Sequence, residues 1–225
     1  MDASSNSEDE PASLAALTRA AELDPTSAAR WHALGAELGR AGRWEEAIAP
    51  LEHAVELDPT DGRLLLDAGA AMCRCGRVEP GLTLFIRATE VQPSSMAWAM
   101  RAEALLNTGR FPESVACAEQ AIAMDAASAP GCIIKGFALL NMGMLPPGVE
   151  ALSRANRLAP ANAQVWRVKA QALRVLGRLV EALDAEVRAI ELDPSLEEEI
   201  LGAAAREPRG GSGRGGRWRF GRRSR

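Results

Sequence analysis

The tripeptide Leu-Asp-Pro occurs at residues 23–25, 57–59 and 192–194, and Val91-Gln92-Pro93 and Leu158-Ala159-Pro160 are variants of it. The five prolines are spaced by 34, 34, 67 and 34 residues. A fixed period of this length restricts a chain to repeat architectures, in which one unit cannot bury its apolar face alone and must stack on the next. The interval of 67 holds two units. Met124-Asp125-Ala126 marks the boundary between them, with Ala in place of Pro. One residue is missing there, most simply just before Trp98.

The sequence therefore divides into five repeats: 28–61, 62–95, 96–128, 129–162 and 163–196. Trp31, Trp98 and Trp166 open repeats one, three and five, and Leu65 and Cys132 stand in their place in two and four. Four residues on is a small residue each time: Gly35, Gly69, Ala102, Gly136, Ala170. A glycine recurs in mid-repeat, at 42, 76, 109, 143 and 177, and an alanine near the end, at 54, 88, 121, 155 and 189. The mid-repeat glycine suits a reversal between two helices, because it accepts the left-handed conformation without steric cost. Small positions let antiparallel helices approach closely. Residues such as Pro112 and Pro146-Pro147 suit the first turn of a second helix, where a missing N–H has no helical partner. Pro50 falls inside a second helix and predicts a local bend. The absence of Tyr, with only four Phe, disfavours β-sandwiches and barrels.

These landmarks resemble the tetratricopeptide repeat family. The family's Trp-x2-Leu-Gly opening is complete only at Trp31-His32-Ala33-Leu34-Gly35, while the Ala and Pro landmarks hold in nearly every repeat. The resemblance covers about residues 12–202. It implies an all-α fold: a right-handed α-solenoid of five helix-turn-helix units. Residues 12–24 match a second helix alone and form a preceding half-repeat. Glu197–Ala205 reads as a polar-faced C-terminal capping helix. The expected organisation is an acidic, disordered N-terminus over 1–11, the solenoid over 12–205 and a basic tail over 206–225.

The resemblance also implies a binding groove lined by the first helices. Its candidate residues here are Leu66 and Ala70 from repeat two, with Ala99, Glu103 and Leu106 from repeat three. Repeat four adds Ile133, Phe137 and Leu140, and repeat five adds Arg167, Gln171 and Arg174. The stripe Ile133, Phe137, Leu140 has i, i+4, i+7 spacing and suits an apolar ligand strip; the bland reading is that it is only core. Some family members grip a chaperone's terminal carboxylate with Lys and Asn pairs in this groove. No Lys/Asn pair occupies the matching positions, so that specialisation is not implied.

Candidate chemistry is sparse. No phosphate loop, nucleophile–base set or cofactor motif is legible. Cys73 and Cys75 lie about 200° apart on a helix, which does not suit a shared metal. The expected function is therefore non-enzymatic: an adaptor or scaffold binding a peptide or amphipathic helix of another protein. The alternatives are a cytoplasmic secretion-type chaperone protecting an apolar segment, and a regulatory or substrate-recognition part of a larger enzyme. No apolar run is long enough for a membrane span, and the polar, acidic first residues do not read as a secretory leader. That points to a cytoplasmic chain with free thiols.

Charge is unevenly distributed. Residues 206–225 hold eight Arg against the single acid Glu207, so the tail carries +7 and the rest of the chain −11, for −4 overall. A Gly-rich segment of this kind cannot bury a core and is expected to be disordered. Its Arg with interleaved Trp218 and Phe220 resembles RGG-type segments, which implies a possible nucleic-acid contact by charge and stacking.

Overall fold

A computed structural model describes residues 9–206 as twelve α-helices and one 3-10 turn, with no strand among the described residues. Helix α1 (Asp9–Leu23) precedes the repeats and starts three residues before the expected boundary. The repeats follow as five helix pairs. They are α2 (Ala28–Arg40) with α3 (Trp44–Leu57), α4 (Gly62–Arg74) with α5 (Val78–Val91), and α6 (Ser95–Thr108) with α7 (Phe111–Met124). Then come α8 (Ala129–Asn141) with α9 (Leu145–Leu158), and α10 (Ala163–Val175) with α11 (Leu179–Leu192). A 3-10 turn (Pro194–Leu196) leads into α12 (Glu197–Arg206). The architecture is the all-α helical-repeat fold. The expected acidic segment at the N-terminus lies largely, and the Arg/Gly-rich tail almost wholly, outside the described residues.

Contacts group the chain into two compact units, one ending at Ala104 and one starting at Leu105. In the first, α1 packs on α2, α2 on α3, α3 on α4 and α4 on α5. In the second, α7 packs on α8, α8 on α9, α9 on α10 and α10 on α11, and the 3-10 turn touches both α11 and α12.

The reversals are uniform. Gly42, Gly76, Gly109, Gly143 and Gly177 have φ between +74° and +82°, and no non-glycine residue among those described has positive φ. The residue after each glycine returns its amide to the carbonyl five positions back, at 2.9 Å in all five cases. This is the Schellman closure, which satisfies carbonyls that the helix end leaves open. Asp61, Ser94, Ser128 and Asn162 cap the first helices of repeats two to five, each side chain accepting an amide two or three residues on. Each such cap contributes about 1 kcal/mol. Helix α3 continues through Pro50 to Leu57.

Small residues in the first helix receive large ones from the second. A Cβ on Gly35 would come within 2.5 Å of Leu51 Cγ, and one on Gly136 within 2.5 Å of Leu152 Cδ2. Gly69 meets the Phe85 ring in the same way, at 2.6 Å. The pairs Gly35/Leu51, Gly69/Phe85 and Gly136/Leu152 are thus volume-matched. Repeat three has Ala102 and Ala118 at the two positions, both buried. Repeat five has Ala170 and, in place of the apolar knob, Glu186. The recurring alanines at 54, 88, 121, 155 and 189 are at most 1% exposed, so each site is filled to its volume.

Candidate functional site

The first helices carry the residues that the sequence nominates for a groove. In the N-terminal unit these lie on α4 and on the part of α6 up to Ala104. Leu66 and Ala70 sit one turn apart on α4 and remain half-buried, while Ala99 is buried. Glu103 is half-buried. Burial pushes its carboxyl above the usual carboxylate range, against the opposing pull of Arg74. Cys73 stands beside it, and burial, reinforced by the Glu103 charge, pushes that thiol up to about 11. His32 on α2 reaches Asp67 on α4, Nε2 to Oδ2 2.6 Å, and ties two first helices together. This unit therefore offers a small apolar strip, Leu66 and Ala70, in an acidic setting of Asp67 and Glu103.

In the C-terminal unit the nominated apolar residues are packed inside. Ile133, Phe137 and Leu140 are 7%, 1% and 1% exposed, and Leu106 is also buried. The reason is that α8 is apolar nearly all round: of the residues from Gly131 to Leu140, only Lys135 is not buried. Leu140 fills the contact with α9, where a Cβ on Gly148 would lie 2.7 Å from its Cδ2. These side chains support the helix pair and do not present a surface to a ligand.

The polar residues of repeat five are partly committed to partners. Arg174 makes a bidentate contact with Glu186 across α10 and α11, with Nη2 donating to Oε2 at 2.8 Å. The charges compensate each other in the position that an apolar knob takes in repeats one, two and four; removing one partner of such a pair leaves a costly buried charge. Arg167 donates to Gln164 and to Glu199, both at 2.9 Å, and so fastens α12 onto α10. Gln171 is exposed.

Sequence reasoning missed most of these ionic contacts. Arg43–Glu46, Arg110–Glu113 and Arg178–Glu181 are bidentate pairs placed directly after the reversal glycine. The signal was present as Gly-Arg-x-x-Glu in three repeats. In repeat two, Pro80 takes the place of the glutamate and Arg77 instead bonds Glu45 of the preceding repeat. Arg174–Glu186 and Lys135–Glu119 join residues 12 and 16 apart and had no local signature.

Antiparallel helix pairs with volume-matched contacts and a glycine reversal in every repeat define a helical-repeat scaffold. The sequence profile of the tetratricopeptide repeat matches residues 7–62, 76–129 and 138–197, well over half of the chain, and the protein belongs to that family. Solved structures agree on the fold. YrrB, described as a tetratricopeptide repeat protein with an unusual peptide-binding site, superposes with a TM-score of 0.65 at 18% identity, covering 84% of this chain and 98% of its own. MamA of Desulfovibrio magneticus RS-1 (residue 41 to the end) gives a TM-score of 0.66 at 21% identity, covering 75% of this chain and 96% of its own. A thermophilic member from Thermus thermophilus gives 0.66 at 20% identity, covering 80% and 100%. No curated protein sequence matches. No helix among the described residues is long and apolar enough to cross a membrane.

Proposed function

We propose that the chain is a non-enzymatic, cytoplasmic interaction scaffold, and that the first-helix face of its N-terminal unit takes a peptide or one face of an amphipathic helix from a partner protein. The observation that carries this reading is the pair Leu66 and Ala70. It is an i, i+4 apolar pair left half-open on α4, with Glu103, and the Asp67 oxygen that does not bond His32, left for a donor group of the ligand. Apolar contacts would supply most of the affinity and the carboxylates the orientation. The fold supports the reading, since YrrB is a peptide-binding protein of the same architecture. Arg167 and Gln171 on α10 offer a second, more polar face in the other unit.

A displayed peptide library selected against the full chain tests the proposal. Selected peptides should lose at least tenfold in affinity to Ala70→Asp, with a melting temperature near the parent, and to Leu66→Asp, measured at a temperature where that variant is still folded because Leu66 also packs on the core. Selection of nothing, or peptides indifferent to both variants, overturns it. The tail 206–225 adds a separate contact in this reading: its deletion should remove salt-sensitive binding to RNA or DNA and leave peptide binding intact. Absence of any such binding at low salt defeats that part alone.

A further inference from the structure

Repeat four departs from the other repeats at several neighbouring positions. In repeats one and five the opening tryptophan fills a place beside the second helix and donates its indole N–H to the carbonyl of the inter-repeat proline, Trp31 to Pro25 at 3.0 Å and Trp166 to Pro160 at 2.8 Å. A cation three residues on lies over the ring in repeats three and five, Arg101 over Trp98 at 5.2 Å and Lys169 over Trp166 at 5.0 Å. Repeat four keeps the cation, Lys135, but has Cys132 where the ring should be. It also has Ala151 where repeat two has the partly buried Leu84. Arg157 stands where repeats one, two and five have Glu56, Glu90 and Glu191.

The outcome is an open hollow of about 360 Å³ between α7, α8 and α9. Ile122, Cys132 and Ala151 form its apolar walls, and Lys135, Arg154 and Arg157 line it together with the acids Glu119 and Glu150. Glu119 is engaged by Lys135 at 2.7 Å. Arg154 Nη2 donates to the Ala126 carbonyl at 2.6 Å, the register equivalent of the carbonyl that accepts the indole N–H elsewhere. The carbonyl is thus already satisfied without an indole, and the hollow lies open over the buried Cys132, beside Ala151 and Ile122. Arg157 is exposed and has no hydrogen-bond partner among the described residues.

We propose that this hollow binds a flat aromatic ring that carries a carboxylate. The ring would take the place of the missing indole, against Ile122 and Ala151 with the Lys135 ammonium at its face, as Arg101 and Lys169 stand over their own rings. The carboxylate would meet Arg157, whose fork can hold it through two parallel hydrogen bonds. Such a group can come from a free aryl acid or from an aromatic side chain beside an acidic residue of a partner. The proposal is independent of the first-helix face.

Calorimetric titration of the full chain with indole-3-propionate, with 3-methylindole and with acetyl-Glu-Trp-amide tests it. At least one acidic probe should saturate with a Kd below about 1 mM, and 3-methylindole should bind at least tenfold more weakly. Saturation by the free acid alone identifies a small-molecule ligand; tighter binding of the dipeptide identifies a partner's side chain. Arg157→Glu, which restores the acid of the other repeats, should weaken binding at least tenfold without moving the melting temperature. Ala151→Leu and Cys132→Trp, which fill the hollow as repeats two and one do, should abolish binding. Ala151→Leu is the milder filling should the tryptophan variant fold poorly. The proposal is overturned if neither acidic probe saturates, or if binding persists unchanged in Ala151→Leu and in Arg157→Glu.

Discussion

Repeats two and four both lack the opening tryptophan, and they resolve its absence differently. Repeat two puts Leu65 in its place, fully buried, and adds Leu84 from the second helix. Repeat four puts Cys132 there and Ala151 opposite, and the volume stays open. Both then use an arginine in the same register, Arg87 and Arg154, to donate to the inter-repeat carbonyl that would otherwise accept an indole N–H. In these two repeats the backbone acceptor is satisfied without a ring, so the hydrogen bond does not depend on the tryptophan. The two repeats also differ on the first helix: α4 keeps Leu66 and Ala70 half-open, whereas α8 buries almost its whole surface.

The largest expected effect follows from that last difference. Ala70 and Phe137 occupy the same register position. Phe137→Asp places an unpaired charge in a core site that is 1% exposed, and should cost several kcal/mol, enough to unfold the second unit. Ala70→Asp should cost less than about 1 kcal/mol. Paired thermal melts measure both, and equal losses would erase the contrast between the two helices. Next, Ala121→Leu should destabilise by about 1–3 kcal/mol, because the alanine has no exposed surface and no spare volume. Denaturant titration gives the value.

Leu84→Ala would open in repeat two the hollow that repeat four already has. Leu84 is half-buried, so the loss should fall near ~1–2 kcal/mol, below the range for a fully buried leucine. A loss near zero would mean that Leu84 does not fill the missing ring's volume. The smallest effect concerns Glu103. Its carboxyl is raised by burial, so the folded state holds the proton to higher pH than the unfolded chain does. Stability should therefore fall as pH rises from the ordinary carboxylate range through the raised value, and be regained on acidification across that window. Glu103→Gln should flatten this part of the pH–stability curve, read by chemical denaturation at several pH values. An unchanged curve would remove Glu103 as its source.

Periodic features were legible from sequence because they depend on backbone geometry. The five glycines are required by a positive φ, and the alanines by a volume that the repeat fixes. The missing residue, which the sequence put just before Trp98, lies a few positions earlier: the loop between α5 and α6 runs over 92–94, while the other inter-repeat loops have four residues, and Trp98 keeps its place as the fourth residue of its helix. Burial around α8 was not legible. A helix that is apolar on every side gives no phase from which to tell its groove face from its core face, so Ile133, Phe137 and Leu140 read equally as surface and interior. The Arg174–Glu186 pair was hidden for a related reason, since each residue taken alone has the pattern of a solvated helix face.

The chain thus has two kinds of joint. The intra-repeat reversal is closed by the same glycine conformation and the same return hydrogen bond five times over, and it admits no change of length. The inter-repeat loop has already absorbed a deletion without loss of the helix pairs on either side. A builder lengthening or labelling this protein should therefore cut at 159–162 and leave 142–144 alone. Whole repeats are the interchangeable parts, and the proline-marked loops are the couplings at which they can be exchanged.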